Sequence, residues 1–179
     1  MLVTNGFINH EPLAELLPFI DAMNIDIKAF NNEYYHKICA GRLEDVKRTV
    51  EQAAKACHVE ITTLIVPNLN DSQTELRELA EWLACISKDI PLHFSRYFPN
   101  YKMQEQPTPL KTMQMAYETA RKYLNYAYLG NVGSSGSDTY CPQCGQVVID
   151  RHEDKGYLTD DNKCLTCGMQ IKISGTVAF

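Results

Sequence analysis

Two C-x2-C pairs, Cys141/Cys144 and Cys164/Cys167, restrict the fold more tightly than any other feature of the chain. Nineteen residues separate the pairs, a spacing suited to one shared metal ion. Two intervening residues let both thiolates of a pair reach the metal from a single tight turn. Gly145 and Gly168 follow the second cysteine of each pair. Glycine there permits a backbone conformation that would cost other residues and lets amide N–H groups approach sulfur. Four thiolates with no open position describe a closed tetrahedral site for zinc, and iron in the same sulfur set is the rival. Two disulfides would also satisfy the count, but a reducing compartment disfavours them. A module of about 40 residues is too small to fold on an apolar core alone, so the metal supplies folding energy. His152 is either an additional ligand or a loop histidine. The charges of the module are mixed, and no basic–aromatic surface for nucleic acid stands out.

The other three of the seven cysteines, Cys39, Cys57 and Cys85, are scattered through segments that read as helical. They read as ordinary reduced thiols. A net charge of −5 argues against a strongly basic partner surface for nucleic acid or anionic lipid. No apolar run approaches the roughly 18 residues of a membrane span. The start MLVTNGFINHEP has no secretory leader pattern, which makes the cytoplasm the default location.

Upstream of the cysteines, strands and helices alternate. Leu2 and Val3 end a strand, and Thr4-Asn5-Gly6 is the turn leaving it. Asn9 can cap a helix, which Pro18 kinks or ends. AMNIDIK alternates as a strand. Asn32 starts a short helix through Cys39, with Gly41 placed to close it. A helix over 43–57 follows, then the β-branched strand 59–66. Ser72-Gln73-Thr74-Glu75 has the form of a capping box, and Asp71 is the alternative cap. PLHFSRYF, 91–98, is a strand. Thr108 as N-cap and Pro109 at the first position open a helix, and YAYL, 126–129, is a last strand. Strand starts recur about every 30 residues, the length of a βαβ unit. Parallel strands follow, in either an open α/β sheet or a barrel. GNVGSSGSD then reads as a flexible linker or a glycine-lined loop, and it is the best domain boundary. The expected division is 1–130 for the α/β part, 131–138 for the linker and 139–179 for the cysteine module.

One strand carries polar residues where a doubly covered sheet would not. Asp26 and Lys28 share a face at a strand's C-terminal end, the end that carries active sites in barrels. They read either as a ligand-holding pair or as a surface ion pair. Glu60 raises the same alternative, and three polar strand residues at the same end of neighbouring strands favour a pocket more than any one alone. His93 and Arg96 read as hydrogen-bonded strand residues, and no nucleophile or phosphate-loop motif is present.

Taken in order, TNGFI, NIDIKAF, ITTLIVPNLND, PLHFSRYFPNYKM, YAYLGNV and TYCPQCG resemble the downstream portion of radical S-adenosylmethionine (SAM) enzymes of the AmmeMemoRadiSam system, relatives of the pyruvate formate-lyase activating enzyme. The resemblance implies the C-terminal half of a partial (β/α)6 barrel of parallel strands, followed by a zinc-ribbon-like module. It implies a [4Fe-4S] cluster that cleaves SAM reductively to a 5′-deoxyadenosyl radical. By position it makes Thr4, Asn5, Asp26 and Lys28 candidate SAM-side residues. The substrate would be a glycyl-radical-type protein or a small molecule. The family's CxxxCxxC cluster motif is absent from this chain, as is its GGEP-like second-strand motif. The resemblance therefore implies a C-terminal part of a longer enzyme, inactive alone. A missing N-terminal barrel segment, or a partner chain supplying it, would complete it. The alternatives are a half-barrel that complements a partner, and a non-catalytic zinc-ribbon binding protein.

Overall fold

A computed structural model describes residues 1–133 and 136–173. Ser134 and Ser135 of the expected linker and 174–179 of the expected cysteine module lie outside the described residues. Five strands form one sheet: β1 (Leu2–Thr4), β2 (Ala22–Asp26), β3 (His58–Ile65), β4 (Leu92–Arg96) and β5 (Ala127–Gly130). They lie side by side in chain order, and every pairing is parallel. Helices α1 (His10–Leu16), α2 (Asn32–Tyr34), α3 (Leu43–Ala53), α4 (Gln73–Ile86) and α5 (Leu110–Ala120) connect them.

The strands alternate because the helices cover only one face of the sheet. Met23, Ile25, Ile61, Leu92 and Phe94 are buried in one cluster with Leu13, Val46, Val50, Leu76, Leu83 and Met113 of the helices. In-register neighbours share a face. The opposite face therefore carries Val3, Asn24, Asp26, Glu60, Thr62, His93, Ser95 and Tyr128. Sequential strand order with the helices on one side is an arc of barrel wall. A doubly wound sheet would reverse its order and carry helices on both sides. The sheet thus resolves the choice between open sheet and barrel left by the sequence.

The second sheet, β6 (Thr139–Tyr140), β7 (Val147–Asp150) and β8 (Lys155–Gly156), is antiparallel. Its core is small: Cys141, Val148, Cys164 and Ile171, together with Tyr126 at the start of β5. The Tyr126 hydroxyl accepts a hydrogen bond from the Lys172 amide at 3.2 Å, so the module's core begins on the large sheet.

Local details depart from the sequence expectations for physical reasons. Ala40, not Gly41, takes the left-handed turn (φ 51°), after a π-helical stretch over Tyr35–Cys39. Gly41 instead gives room to Phe7, whose ring would lie 3.2 Å from a Cβ there. The helix expected over 43–57 ends at Ala53. Pro109 is the N-cap of α5, because Thr108 is engaged elsewhere. The Thr108 hydroxyl donates to the Ile65 carbonyl at 2.5 Å and accepts from the Tyr97 amide at 3.2 Å, joining the ends of β3 and β4. Pro18 lies in the 3-10 turn Leu17–Phe19 that ends α1, as a proline should.

Candidate functional site

The four cysteines meet. Their sulfurs lie within 4.8 Å of one another, with Cys141–Cys167 at 3.5 Å and Cys144–Cys164 at 3.7 Å. Zn–S bonds of about 2.3 Å at tetrahedral angles require S···S separations of about 3.8 Å. The set therefore fits one four-coordinate ion. The two loops are built alike. The Gly145 amide donates to Cys141 O and the Gly168 amide to Cys164 O, at 2.9 and 2.8 Å. Both glycines have φ near the left-handed value, 73° and 75°, and a Cβ would meet nothing within 4 Å. Conformation, not space, makes the position glycine. Each turn also aims amides at sulfur: Gln146 at Cys144, Thr166 and Cys167 at Cys164, and Met169 at Cys167. Such bonds stabilise thiolate. His152 is exposed in the turn after β7 and does not join the set.

The C-terminal rim of the sheet gathers the other candidates. Lys28 Nζ lies 2.6 Å from Asp26 Oδ2, with both side chains partly exposed. Asn5 and Lys28 line one cavity of 270 Å3, together with Phe7, Tyr35, Cys39 and Gly41. Asp26 joins this group through Lys28. Thr4 lies in register with Ile25, on the helix-covered side, and its hydroxyl accepts from the Gly6 amide at 3.1 Å. Asn5 Oδ1 likewise accepts from the Phe7 amide at 3.0 Å. Gly6 (φ 69°) has no room for a Cβ, which would lie 2.8 Å from Ile25 and 2.9 Å from Val46.

Three residues fix this rim and were not legible as such in the sequence. Asn70, in a stretch that reads only as a turn, donates to Lys28 O (2.6 Å) and Leu64 O (2.8 Å) and accepts from Val66 N (2.7 Å). Ser72 caps α4 as expected, accepting from the Glu75 amide at 3.2 Å. The Glu75 carboxylate does not return to Ser72. It accepts from the Phe30 amide at 2.6 Å and from Asn31 Nδ2 at 2.8 Å, holding the loop after β2, while burial pushes its pKa up. Thr108 is the third.

Glu60 belongs to the other end of the open face. It lies in register with Asn24, so it does not reach the Asp26–Lys28 rim. One carboxylate oxygen is 3.3 Å from His58 Nε2 and the other 3.2 Å from His93 Nε2. The His93 approach is off the hydrogen-bond axis, so that contact is electrostatic. The carboxyl is pulled down to about 2, chiefly by His93 and then, against the cost of partial burial, by His58. Arg96 Nε donates to Thr108 O at 2.7 Å, a structural use.

Outside the ribbon the cysteines stay apart. Cys39 and Cys85 are exposed on separate helical segments and Cys57 follows α3. Among the described residues only the ribbon cysteines form a metal-capable group, so these residues do not supply ligands for a [4Fe-4S] cluster beside the rim. No helix among the described residues is long and apolar enough to cross a membrane.

Residues 1–83 match the family model described as the Radical SAM superfamily. Over 97% of its length the chain is 41% identical to an uncharacterized protein of Methanocaldococcus jannaschii, MJ0808. It covers 54% of that protein, about half the length of the curated relative it matches. A domain of a pyruvate-formate lyase-activating enzyme from Bacteroides vulgatus has a similar fold at 17% identity. The TM-score is 0.63, covering 73% of this chain and 80% of that one. A radical SAM methyltransferase from Sphaerobacter thermophilus superposes with TM-score 0.50 at 16% identity, over 81% of this chain and 43% of that one. Residues 1–83, from β1 into α4, thus match the Radical SAM superfamily model, and the parallel sheet is similar to that of a solved radical SAM methyltransferase.

Proposed function

We propose that this chain is the rear portion of a radical SAM enzyme of the AmmeMemoRadiSam type. In this reading 1–130 is barrel wall, 131–138 a linker and 139–179 a zinc- or iron-bearing ribbon. A preceding segment, or a partner chain, supplies the remaining strands and the cluster that reduces SAM. The observation that carries the reading is the polar, helix-free face of the sheet, with the Asp26–Lys28 pair and Asn5 at its C-terminal rim beside β1, the edge strand among the described residues. A parallel barrel presents its reactants at that rim.

The roles divide by chemistry. Lys28, in the cavity, takes the SAM carboxylate, and Asp26 orients the Lys28 ammonium. Asn5 offers an amide to the same ligand, and Thr4 shapes the turn that presents it. The reduced thiols of Cys39, Cys57 and Cys85 suit the cytoplasm. The substrate is a glycyl-radical-type protein or a small molecule.

Calorimetry with SAM tests the reading, on this chain and on a version extended or complemented to include the cluster segment. Binding is expected in the completed, cluster-loaded protein, with dithionite-dependent release of 5′-deoxyadenosine. Lys28→Ala should weaken it by roughly 10-fold, the value of one charge-assisted contact. Unchanged affinity in Lys28→Ala, or a cluster-loaded protein that leaves SAM intact, would remove the reading.

A further inference from the structure

A second cavity, of 290 Å3, lies at the opposite end of the open face, where the ribbon meets the sheet. Glu60, His93 and Tyr128 line it from β3, β4 and β5, and Thr139, Arg151 and Lys172 line it from the ribbon. Its two sides are tied together. The Tyr128 and Thr139 hydroxyls are 3.0 Å apart, and an Arg151 nitrogen donates to Thr139 Oγ1 at 2.9 Å. The Arg151 guanidinium also lies 5.2 Å from the centre of the Tyr128 ring, which stacks on His93 at 5.0 Å.

The charges of this cavity are segregated by side. The sheet contributes one carboxylate, Glu60, whose ion-pair contacts are the imidazoles of His58 and His93. The ribbon contributes two cations. Among the described residues, neither Arg151 nor Lys172 has a carboxylate at ion-pair distance, although Arg151 also donates to the Ser137 carbonyl at 2.6 Å. A simple anion would meet Glu60 and a simple cation would meet Arg151 and Lys172, so each is opposed from one side. A molecule carrying both charges a few ångströms apart is opposed from neither. The volume lies at the small end of ligand cavities, and the His93–Tyr128 stack gives it a flat wall.

We propose that this seam binds a free α-amino acid as its zwitterion. The ammonium lies on Glu60, the carboxylate lies between Arg151 and Lys172, and the side chain lies along Tyr128. The site is separate from the SAM-side rim and does not depend on the function proposed above. It gives the ribbon a role beyond bracing, since three of the six groups that define the site arrive from it.

The test uses the full, metal-loaded chain. L-leucine is titrated while the ring signals of His93 and Tyr128 are followed by NMR. Isoamylamine, which lacks the carboxylate, and 4-methylpentanoate, which lacks the ammonium, are the controls. L-leucine should shift both rings saturably, with a dissociation constant on the order of 0.1–1 mM, and each control should bind at least about 10-fold more weakly. Arg151→Gln, an exposed change, should cost about 10-fold, and Glu60→Gln the same. If Glu60→Gln fails to fold, Arg151→Gln and the two controls decide. The proposal is overturned if L-leucine, L-methionine, L-tyrosine and L-glutamate all give no saturable shift by roughly 20 mM. It is equally overturned if a one-charge control matches L-leucine, or if the shifts fall at the Asn5–Lys28 cavity instead. The first two outcomes leave Lys28 and SAM untouched, so the two readings fail separately.

Discussion

Asn70 shows how much of the rim rests on single side chains. It is 1% exposed, and its amide makes three bonds to backbone groups of two strand ends. Asn70→Ala leaves the Lys28 and Leu64 carbonyls and the Val66 amide without these partners. A loss of about 2–4 kcal/mol is expected in urea unfolding. Asn70→Asp, which can accept from Val66 but cannot donate to the carbonyls, should recover little of it. Glu60 gives a pH signature. Its folded pKa, about 2, lies below its ordinary value of 4.5. A depressed carboxyl stabilises the fold above the ordinary value, and that stability drains away as pH falls from about 4.5 towards 2. Solvent screening of a side chain that is 31% exposed limits the effect to about 1–2 kcal/mol. The stability gap between wild type and Glu60→Gln should therefore be full at pH 6 and close progressively below pH 4.5. A gap independent of pH would show that the imidazole contacts do not hold the charge. At this scale the sequence was legible only where a residue's partner is local. Ser72 caps the helix that follows it, but Glu75 reaches back across 45 residues to Phe30, and no local spacing announces that.

The elements were legible where chemistry repeats. Two C-x2-C-G stretches gave the ribbon's turns, and the turns formed with both glycines left-handed. These glycines differ from Gly6 in a way that a substitution can read. Gly145→Ala meets open space and should cost only the left-handed backbone, about 1–2 kcal/mol. Gly6→Ala adds overlap with Ile25 and Val46, under the helix layer, and should cost about 3 kcal/mol or more. If thermal melts rank the two equally, crowding at Gly6 is not what selects its residue. Metal content is the element's other test. Purified protein should carry about one zinc or iron per chain. Chelation should abolish amide protection across β6–β8 and the two cysteine turns, because burial of Val148 and Ile171 alone is too little to hold them. Full protection in metal-free protein would make the four thiols incidental to folding. What the element pattern concealed was the π-helical stretch and the left-handed Ala40, since Gly41 is the better local candidate for a turn and tertiary contact with Phe7 claimed it.

At the level of the whole molecule, hydrophobic periodicity predicted an ordered series of βα units, and the sheet runs in that order. The polar alternation of AMNIDIK also marked the face that helices leave uncovered. The seat of the ribbon was not visible, because it depends on contacts such as Tyr126–Lys172 that join residues distant in the chain. Among the described residues β1 is three residues long and pairs with β2 alone, and Val3 on its open face is 68% exposed. An unpaired parallel edge offers backbone donors and acceptors to another strand. The curated relative of this chain is nearly twice as long, so material for such a strand exists in that protein. Co-expressing the additional segment of that relative with this chain should therefore yield a 1:1 complex, measured by sedimentation velocity. Val3→Lys, which places a solvated charge on the edge strand, should weaken it by roughly 10-fold, one lost increment of about 1.4 kcal/mol. Protection of the Leu2–Thr4 amides on complex formation would locate the contact at the edge. If the segment binds equally well to Val3→Lys and leaves those amides exchanging freely, β1 is a finished border of the sheet, and the barrel is not completed there.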